Sequence, residues 1–274
     1  MPPQRRTLFI ESERNTVLIK KTLRALLLGS SLLSAFCWAE PVPLETMNMA
    51  GLQRTLGQIA AKNYLMIGSG VKVAEATKQR GDSVALFENH HEQLKLAAPN
   101  DAIRAELDKI EATWAAYREL VLAVPSKDQA PAVLAKAETL VQQAQHLTDL
   151  LEEHNGDEAS HSINRSGWNR VLTQRTAMFY MARAWGVQHP DLDAKFEASV
   201  AEFSVVMDEL QAAGSPNPQI ADALRKTDAR WKFASKAFAS PEFVPTIVAV
   251  NAESMFRQLN EMTRLYAGLT EYAL

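Results

Sequence analysis

Two stretches of the chain carry the same four residue types at the same spacing. The pattern Asn-x-x-Gly-x-x-Arg-x-x-x-Gln is filled first by Asn48, Gly51, Arg54 and Gln58, and again by Asn164, Gly167, Arg170 and Gln174. An arginine among small residues is partly desolvated and needs an acceptor for its N–H groups. Because no acidic residue recurs beside these arginines on that face, a bound anion is a candidate for the acceptor.

A helical wheel separates the repeated residues from the apolar stripe of each stretch. At 3.6 residues per turn, Met49, Leu52 and Leu56 form a core-facing stripe, while Gly51, Arg54, Gln58 and Ala61 lie on another face. Small residues on that face indicate that a second helix approaches closely. The alternative is a solvated face retained by chance, although lysine and glutamate would be the usual residues there.

The similarity continues beyond the two stretches and indicates an internal duplication. Residues 47–71 and 163–187 share nine identities in 25 positions. Two further blocks, ending at Trp114 and Trp231 and beginning at Val133 and Val248, recur in the same order at nearly the same offset. The sequence therefore predicts two tandem copies, over residues 44–153 and 161–274, with the two tryptophans as equivalent core residues.

Each copy has the periodicity of four helices, and no segment alternates at a period of two. The breaks fall at glycine, proline and asparagine clusters and predict helices over about 44–78, 83–97, 101–124 and 130–153, then 161–187, 190–213, 217–239 and 244–272. The first helix is expected to end near Arg80-Gly81-Asp82. The fold class is all-α, with two tandem four-helix bundle units.

The first 39 residues have the pattern of a signal peptide. Lys20, Lys21 and Arg24 precede a short apolar segment, and small residues at the −3 and −1 positions predict cleavage after Ala39. The apolar segment is shorter than a bilayer span, although an uncleaved anchor is the alternative. We expect a soluble periplasmic protein, without a disulfide because the sole cysteine lies in this segment.

Charge and motifs exclude several function classes. Cleavage would remove six basic and two acidic residues, which leaves a net charge of −7 and argues against a nucleic-acid partner. No motif typical of a hydrolase, phosphate loop, zinc protease or haem site occurs, so we predict no enzyme activity and no cofactor. A polar turn holds His154, Asp157, Glu158 and His161, whose spacing matches no established metal site, and His90-His91 is interpreted as a surface pair.

The segments "MNMAGLQRTLGQ" and "INRSGWNRVLTQR" resemble PilJ-type sensor domains, the extracytoplasmic domains of type IV pilus chemotaxis transducers. These are similar to nitrate and nitrite sensor domains of bacterial histidine kinases. The resemblance implies a four-helix bundle whose arginine contacts the anion where two first helices meet at a dimer interface. The matching arginines are Arg54 and Arg170. A second arginine of the family pattern is matched by Arg175, whereas the first copy has Ile59 there.

The resemblance implies a sensor or adaptor that binds a small anion, nitrate or nitrite, and passes a signal to a membrane-bound partner. Because one chain carries both first helices, we expect an intramolecular crossing of Gly51 and Gly167, with a homodimer as the intermolecular version. The ligand-binding residues would be Arg54, Arg170, Gly51, Gly167, Gln58, Gln174 and Arg175, with Arg175 adding charge from one side. Asn48 and Asn164 would hold the helix entrances. The alternative function is a ligand-free helical module for docking or self-association.

Overall fold

In the computed structural model, which describes residues 40–214, 217–240 and 242–268, the chain is all-α. Eight helices and no strand occur in these residues, which confirms the predicted fold class. The helices are α1 (Leu44–Gly68), α2 (Val73–Ala97), α3 (Asp101–Leu122), α4 (Ala130–Asn155), α5 (Glu158–Trp185), α6 (Leu192–Ala213), α7 (Pro218–Phe238) and α8 (Pro245–Tyr266). We call α1–α4 the first half and α5–α8 the second half.

The helix ends follow from local sequence. Asn100, Asp157 and Asn217 cap α3, α5 and α7 by accepting a hydrogen bond from a backbone N–H of the first turn. Gly70 and Gly186, at equivalent positions, both have a φ of 75°, in the left-handed region that ends a helix without steric cost.

The first helix ends earlier than the sequence predicted. It stops at Gly68, and α2 then runs through Arg80-Gly81-Asp82 without a break. Gly81 is tolerated inside α2 because it costs only about 1 kcal/mol relative to alanine in an exposed helix. Gly70 provides the break instead.

The two first helices lie in the middle of the molecule. Every residue from Gln53 to Met66 of α1 is buried, and α5 is buried almost continuously over residues 166–182. A helix buried on all sides must pack against neighbours all round. Accordingly α1 packs on α2, α4 and α5, and α5 packs on α1, α6 and α8. The described residues from Glu40 to Gly268 consequently form one compact unit.

Equivalent aromatic pairs fill the core of each half. Trp114 of α3 stacks on Phe87 of α2 at 3.7 Å between ring centroids. Trp231 of α7 stacks on Phe203 of α6 at 3.8 Å. The two tryptophans are 7% and 5% exposed, so the two halves use the same anchor in their cores.

His90 and His91 are not a surface pair. His91 is 5% exposed and stacks on Phe87, with a centroid distance of 6.2 Å. His90 is half-buried, and burial together with the nearby Arg170 lowers its pKa to about 4. The sequence pattern did not reveal that these two rings are shielded from solvent.

The expected signal peptide lies outside the described residues. No helix in residues 40–268 that the structure describes has the length and apolar character needed to cross a membrane.

Candidate functional site: two arginines at a glycine crossing

Helices α1 and α5 run parallel and meet closely at Gly51 and Gly167. Trp185 lies directly over Gly68, and Gly51 and Gly167 flank the same pair of guanidiniums. In each of these two contacts the residues are separated by nearly the same number of positions along the chain, so the helices run in the same direction. Gly51 and Gly167, which the sequence predicted to lie at one crossing, thus face the same two arginine side chains. We use the term pseudo-twofold axis for the line along the two helices that relates the residues matched by the sequence repeat.

The glycines make room for both arginines. A Cβ on Gly51 would lie 3.0 Å from Nη2 of Arg54 and 3.1 Å from Nη2 of Arg170. A Cβ on Gly167 would lie 2.9 and 3.0 Å from the same two atoms. Both Nη2 atoms lie about 3 Å from one point, so they are no more than about 6 Å apart. Glycine is needed on both helices because any side chain would occupy this space.

Both arginines are buried cations. Arg54 is 1% exposed and Arg170 is 0% exposed. Burial lowers the pKa of Arg54 to about 10, with Asp149 and Glu152 acting in the opposite direction. Burial and repulsion from Arg54 lower the pKa of Arg170 to about 9. Both values leave the guanidiniums charged at neutral pH, so two like charges face each other away from water.

Each arginine reaches across to the asparagine of the other half. Arg54 donates from Nη1 to Oδ1 of Asn164 at 2.6 Å and also to Gln145 of α4. Arg170 donates from Nη1 to Oδ1 of Asn48 at 2.8 Å and to Oδ1 of Asn260 of α8 at 2.8 Å. Gln145 and Asn260 are equivalent in the two halves, so the exchange follows the pseudo-twofold axis.

The exchange corrects the role expected for the asparagines. Asn48 and Asn164 accept hydrogen bonds from the arginines instead of only holding the helix entrances. An arginine side chain on a helix points back towards the N-terminus, so it reaches residues about one and a half turns earlier on the neighbouring helix. The repeat of asparagine six residues before arginine was the signal for this contact. Nothing in the repeat pointed to Gln145 and Asn260, because their residue types differ.

Every guanidinium nitrogen of Arg54 has a hydrogen-bond partner, whereas two nitrogens of Arg170 have none among the described residues. Arg54 also donates from Nε to the carbonyl of Gly51 at 3.2 Å and from Nη2 to the carbonyl of Asn164 at 3.4 Å. Nε and Nη2 of Arg170 are buried and have no partner among the described residues. Leaving charged donors unpaired in a protein interior is costly. The free edge of Arg170 is therefore suited to an anionic acceptor.

The two repeated glutamines lie further along the same helices. Gln58 donates from Nε2 to the carbonyl of Ala137 at 3.0 Å, and Gln174 donates to the carbonyl of Ala252 at 3.2 Å. Both side chains are fully buried. The glutamines thus tie α1 to α4 and α5 to α8, and neither forms a hydrogen bond with Arg54 or Arg170 among the described residues.

Arg175 lies away from the glycine crossing. Its guanidinium forms an ion pair with Glu138 of α4 and lies over the ring of Phe179, 5.6 Å from its centroid. On the opposite side of the molecule, Lys62 of α1 forms the matching ion pair with Glu253 of α8 and donates to Oε1 of Gln174 at 2.7 Å.

Lys62 thus supplies the cation that Ile59, the equivalent of Arg175, does not provide. Glu138 and Glu253 are at equivalent positions, and each pairs with a cation from the other half. Nothing in the sequence repeat indicated this role for Lys62, since its equivalent is Met178.

An open cavity adjoins the arginines on the side of α4 and α5. It has a volume of about 420 Å³ and is lined by Gln145, Asp149, Glu152, His161, Asn164, Arg165 and Trp168. Two of these residues, Gln145 and Asn164, are acceptors of Arg54, and the Arg54 guanidinium lies 5.6 Å from the centroid of the Trp168 ring. The cavity thus lies one layer of amide side chains away from the buried cations.

The polar turn between the halves does not gather metal ligands. His161 pairs with Glu152, and the Asp157 side chain caps α5. Within the described residues no three His, Cys, Asp or Glu side chains are placed to hold one metal ion.

Comparison with protein families gives one match. Residues 45–140, about a third of the chain, match the family described as type IV pili methyl-accepting chemotaxis transducer N-term, or PilJ. No curated protein and no solved structure matches the chain. The matched region comprises α1–α3 and the first part of α4, and it includes Gly51 and Arg54. Residues 45–140 are therefore similar to PilJ-type domains of chemotaxis transducers.

Proposed function

We propose that this protein is a periplasmic sensor or adaptor that binds one small anion, nitrate or nitrite, between Arg54 and Arg170. In this proposal the two halves are tandem PilJ-type copies that arose by duplication. Only the first half is matched by the family, but the arginine exchange supports a second copy because it uses equivalent residues in both halves.

The observation that carries the proposal is the unpaired edge of Arg170 opposite a second buried guanidinium. Without a ligand, two cations about 6 Å apart or closer repel each other, and two N–H-bearing atoms lack an acceptor. An anion would remove the repulsion and accept charge-assisted hydrogen bonds, each contributing about 1.5–3 kcal/mol. Two buried cations would destabilise a contact whose only role was apolar packing.

The alternative, a ligand-free module that docks or self-associates through its first helices, is less well supported. Helices α1 and α5 are buried against each other and against four further helices, so neither presents a free face. A docking function would need a different surface.

Thermal unfolding of the full-length protein in nitrate and in chloride, at constant ionic strength, tests the proposal. Nitrate at a hundredfold excess over its Kd should stabilise the protein by about 2.7 kcal/mol. Arg170→Gln should remove this shift and, in chloride, raise the melting temperature because one buried charge is lost. Arg225→Gln is the matched control, since Arg225 is largely exposed on α7. An equal shift in wild type and Arg170→Gln would overturn the assignment of the site.

Export is part of the proposal and has its own test. Amino-terminal sequencing of the protein from the periplasmic fraction should begin at Glu40. Recovery of the intact chain only from membranes would contradict cleavage after Ala39. A membrane-bound signalling protein that is co-purified in a nitrate-dependent manner would be the expected partner.

A further inference from the structure

Two carboxylates stand behind the acceptors of Arg54. Asn164 donates from Nδ2 to Oδ1 of Asp149 at 3.0 Å and to Oε2 of Glu152 at 2.6 Å. Gln145 donates from Nε2 to Oδ1 of Asp149 at 2.6 Å. Each amide thus has its nitrogen on a carboxylate and its oxygen on Arg54.

This arrangement fixes which end of each amide faces the buried site. A carboxylate accepts hydrogen bonds only, so the amide nitrogen must point at it and the amide oxygen must point at Arg54. Flipping Asn164 would set its oxygen against Asp149 and Glu152 and its N–H₂ against a guanidinium. The two carboxylates therefore keep both amide oxygens on Nη1 of Arg54, so those donors are already used.

The second half lacks this arrangement around Arg170. By the register that aligns Gln145 with Asn260, the positions of Asp149 and Glu152 are occupied by Arg264 and Ala267. Among the described residues no carboxylate accepts a hydrogen bond from Asn48 or Asn260. No negative charge therefore fixes the orientation of these two amide groups. The two sides of the pseudo-twofold site are therefore chemically different.

We propose that Asp149 and Glu152 set the affinity and direction of anion binding. Through Gln145 and Asn164 they keep Nη1 of Arg54 occupied, and their charge repels the anion, so that the anion binds mainly to the free edge of Arg170. This inference rests on the proposed function. It makes Arg170 the residue that binds the anion and Arg54 a supporting cation, in a site that would be symmetric if both halves were identical. Asp149 and Glu152 are positioning residues, since they act through Asn164 and Gln145.

The expected effects are electrostatic and differ between the two carboxylates. Asp149 is exposed, so its charge is well screened, whereas the Glu152 side chain is 26% exposed. A unit charge several ångströms from the anion, in surroundings between protein and water, changes Kd by roughly three- to tenfold. We expect nitrate to bind the full-length protein about threefold more tightly in Asp149→Asn and about tenfold more tightly in Glu152→Gln.

Calorimetric titration of full-length variants with sodium nitrate tests the inference. Asp149→Asn and Glu152→Gln remove charge but keep an amide oxygen as acceptor for Asn164 and Gln145. Asp149→Leu removes both, so any difference between Asp149→Leu and Asp149→Asn reports the fixing of the amides. Asp222→Asn on α7 removes an exposed carboxylate elsewhere and is the control. Repeating the titrations at high salt should reduce the charge effect and leave the amide effect.

Tighter nitrate binding in Glu152→Gln and unchanged binding in Asp222→Asn would support the inference. The same holds if wild type binds too weakly to detect and the double variant Asp149→Asn/Glu152→Gln binds measurably. Wild-type binding that is unchanged or weakened by Glu152→Gln would overturn the inference and leave the anion site standing. No binding in wild type or any variant would overturn the anion site and the inference together.

Discussion

Around Arg54 the first half supplies two carboxylates, whereas around Arg170 the equivalent positions hold an arginine and an alanine. Yet the residues that meet on the pseudo-twofold axis are the same in both halves. A homodimer must carry identical surroundings on both sides of its axis. A single chain with two halves is free of that constraint, so its surroundings differ while the crossing itself stays symmetric.

A second difference lies one to two turns further along the helices. The second half places a cation at Arg175, and the first half places it three residues later, at Lys62, relative to the repeat. Both cations reach an equivalent glutamate of the other half. Glu138 and Glu253 thus each pair with a cation of the other half, and the cation is placed at a different helix position in the two halves.

The largest expected effect tests whether the two cores are equivalent. Trp114→Ala and Trp231→Ala should each lower the free energy of unfolding by about 3–5 kcal/mol, because each removes a buried stacked ring and leaves a cavity. Urea unfolding of both variants measures this. If one substitution had no effect, the two cores would not be equivalent despite their matching geometry.

The next effect tests the two ion pairs that join the halves. Lys62→Met introduces the residue found at the equivalent position of the second half. It should lower the free energy of unfolding by about 3 kcal/mol, which is the low end for breaking a buried ion pair because Glu253 remains partly hydrated. Arg175→Ile, the reverse exchange, should cost less, since Arg175 is less completely buried than Lys62. The comparison is made by urea unfolding. Equal costs would mean that burial of the cation does not distinguish the two sides.

A smaller effect is expected where the helix pair departs from symmetry. A Cβ on Gly68 would lie 2.3 Å from the Trp185 ring. Gly68→Ala should therefore lower the free energy of unfolding by about 1–3 kcal/mol, because the indole must be displaced. Gly81→Ala is the matched control, because a Cβ there meets nothing within 4 Å, and it should stabilise α2 by about 0.5–1 kcal/mol. Melting temperatures that rise for both variants would contradict the packing of Trp185 on Gly68.

The last expected effect concerns pH and is confined to one half. His90 has Val206 as its equivalent, and burial and Arg170 lower the pKa of His90 to about 4. Between pH 6.5 and about 4 the unfolded chain binds the proton and the folded chain does not, so stability falls as the pH falls through this range. His90→Gln should make the decrease in melting temperature over this range shallower. An unchanged pH profile would show that His90 titrates normally in the folded protein.

The class of fold followed from the residue pattern of the chain, which also predicted the helix crossing. Helical periodicity predicted an all-α protein, and the repeated Gly51 and Gly167 predicted a close approach of two helices because small residues on one face have few other uses. It did not locate the end of α1, although Gly70 aligns with Gly186 and offered that signal. The apolar stripe continued past Gly70 and outweighed it.

Which polar groups meet depends on how the helices pack. The partners of Arg54 and Arg170 come from four different helices, and the ion pairs of Lys62 and Arg175 join residues more than 30 positions apart. Local periodicity fixes the face on which a side chain lies, but it does not fix what the opposing helix presents at that level. The register between α1, α4, α5 and α8 sets those contacts. It also leaves Nε and Nη2 of Arg170 without a partner among the described residues.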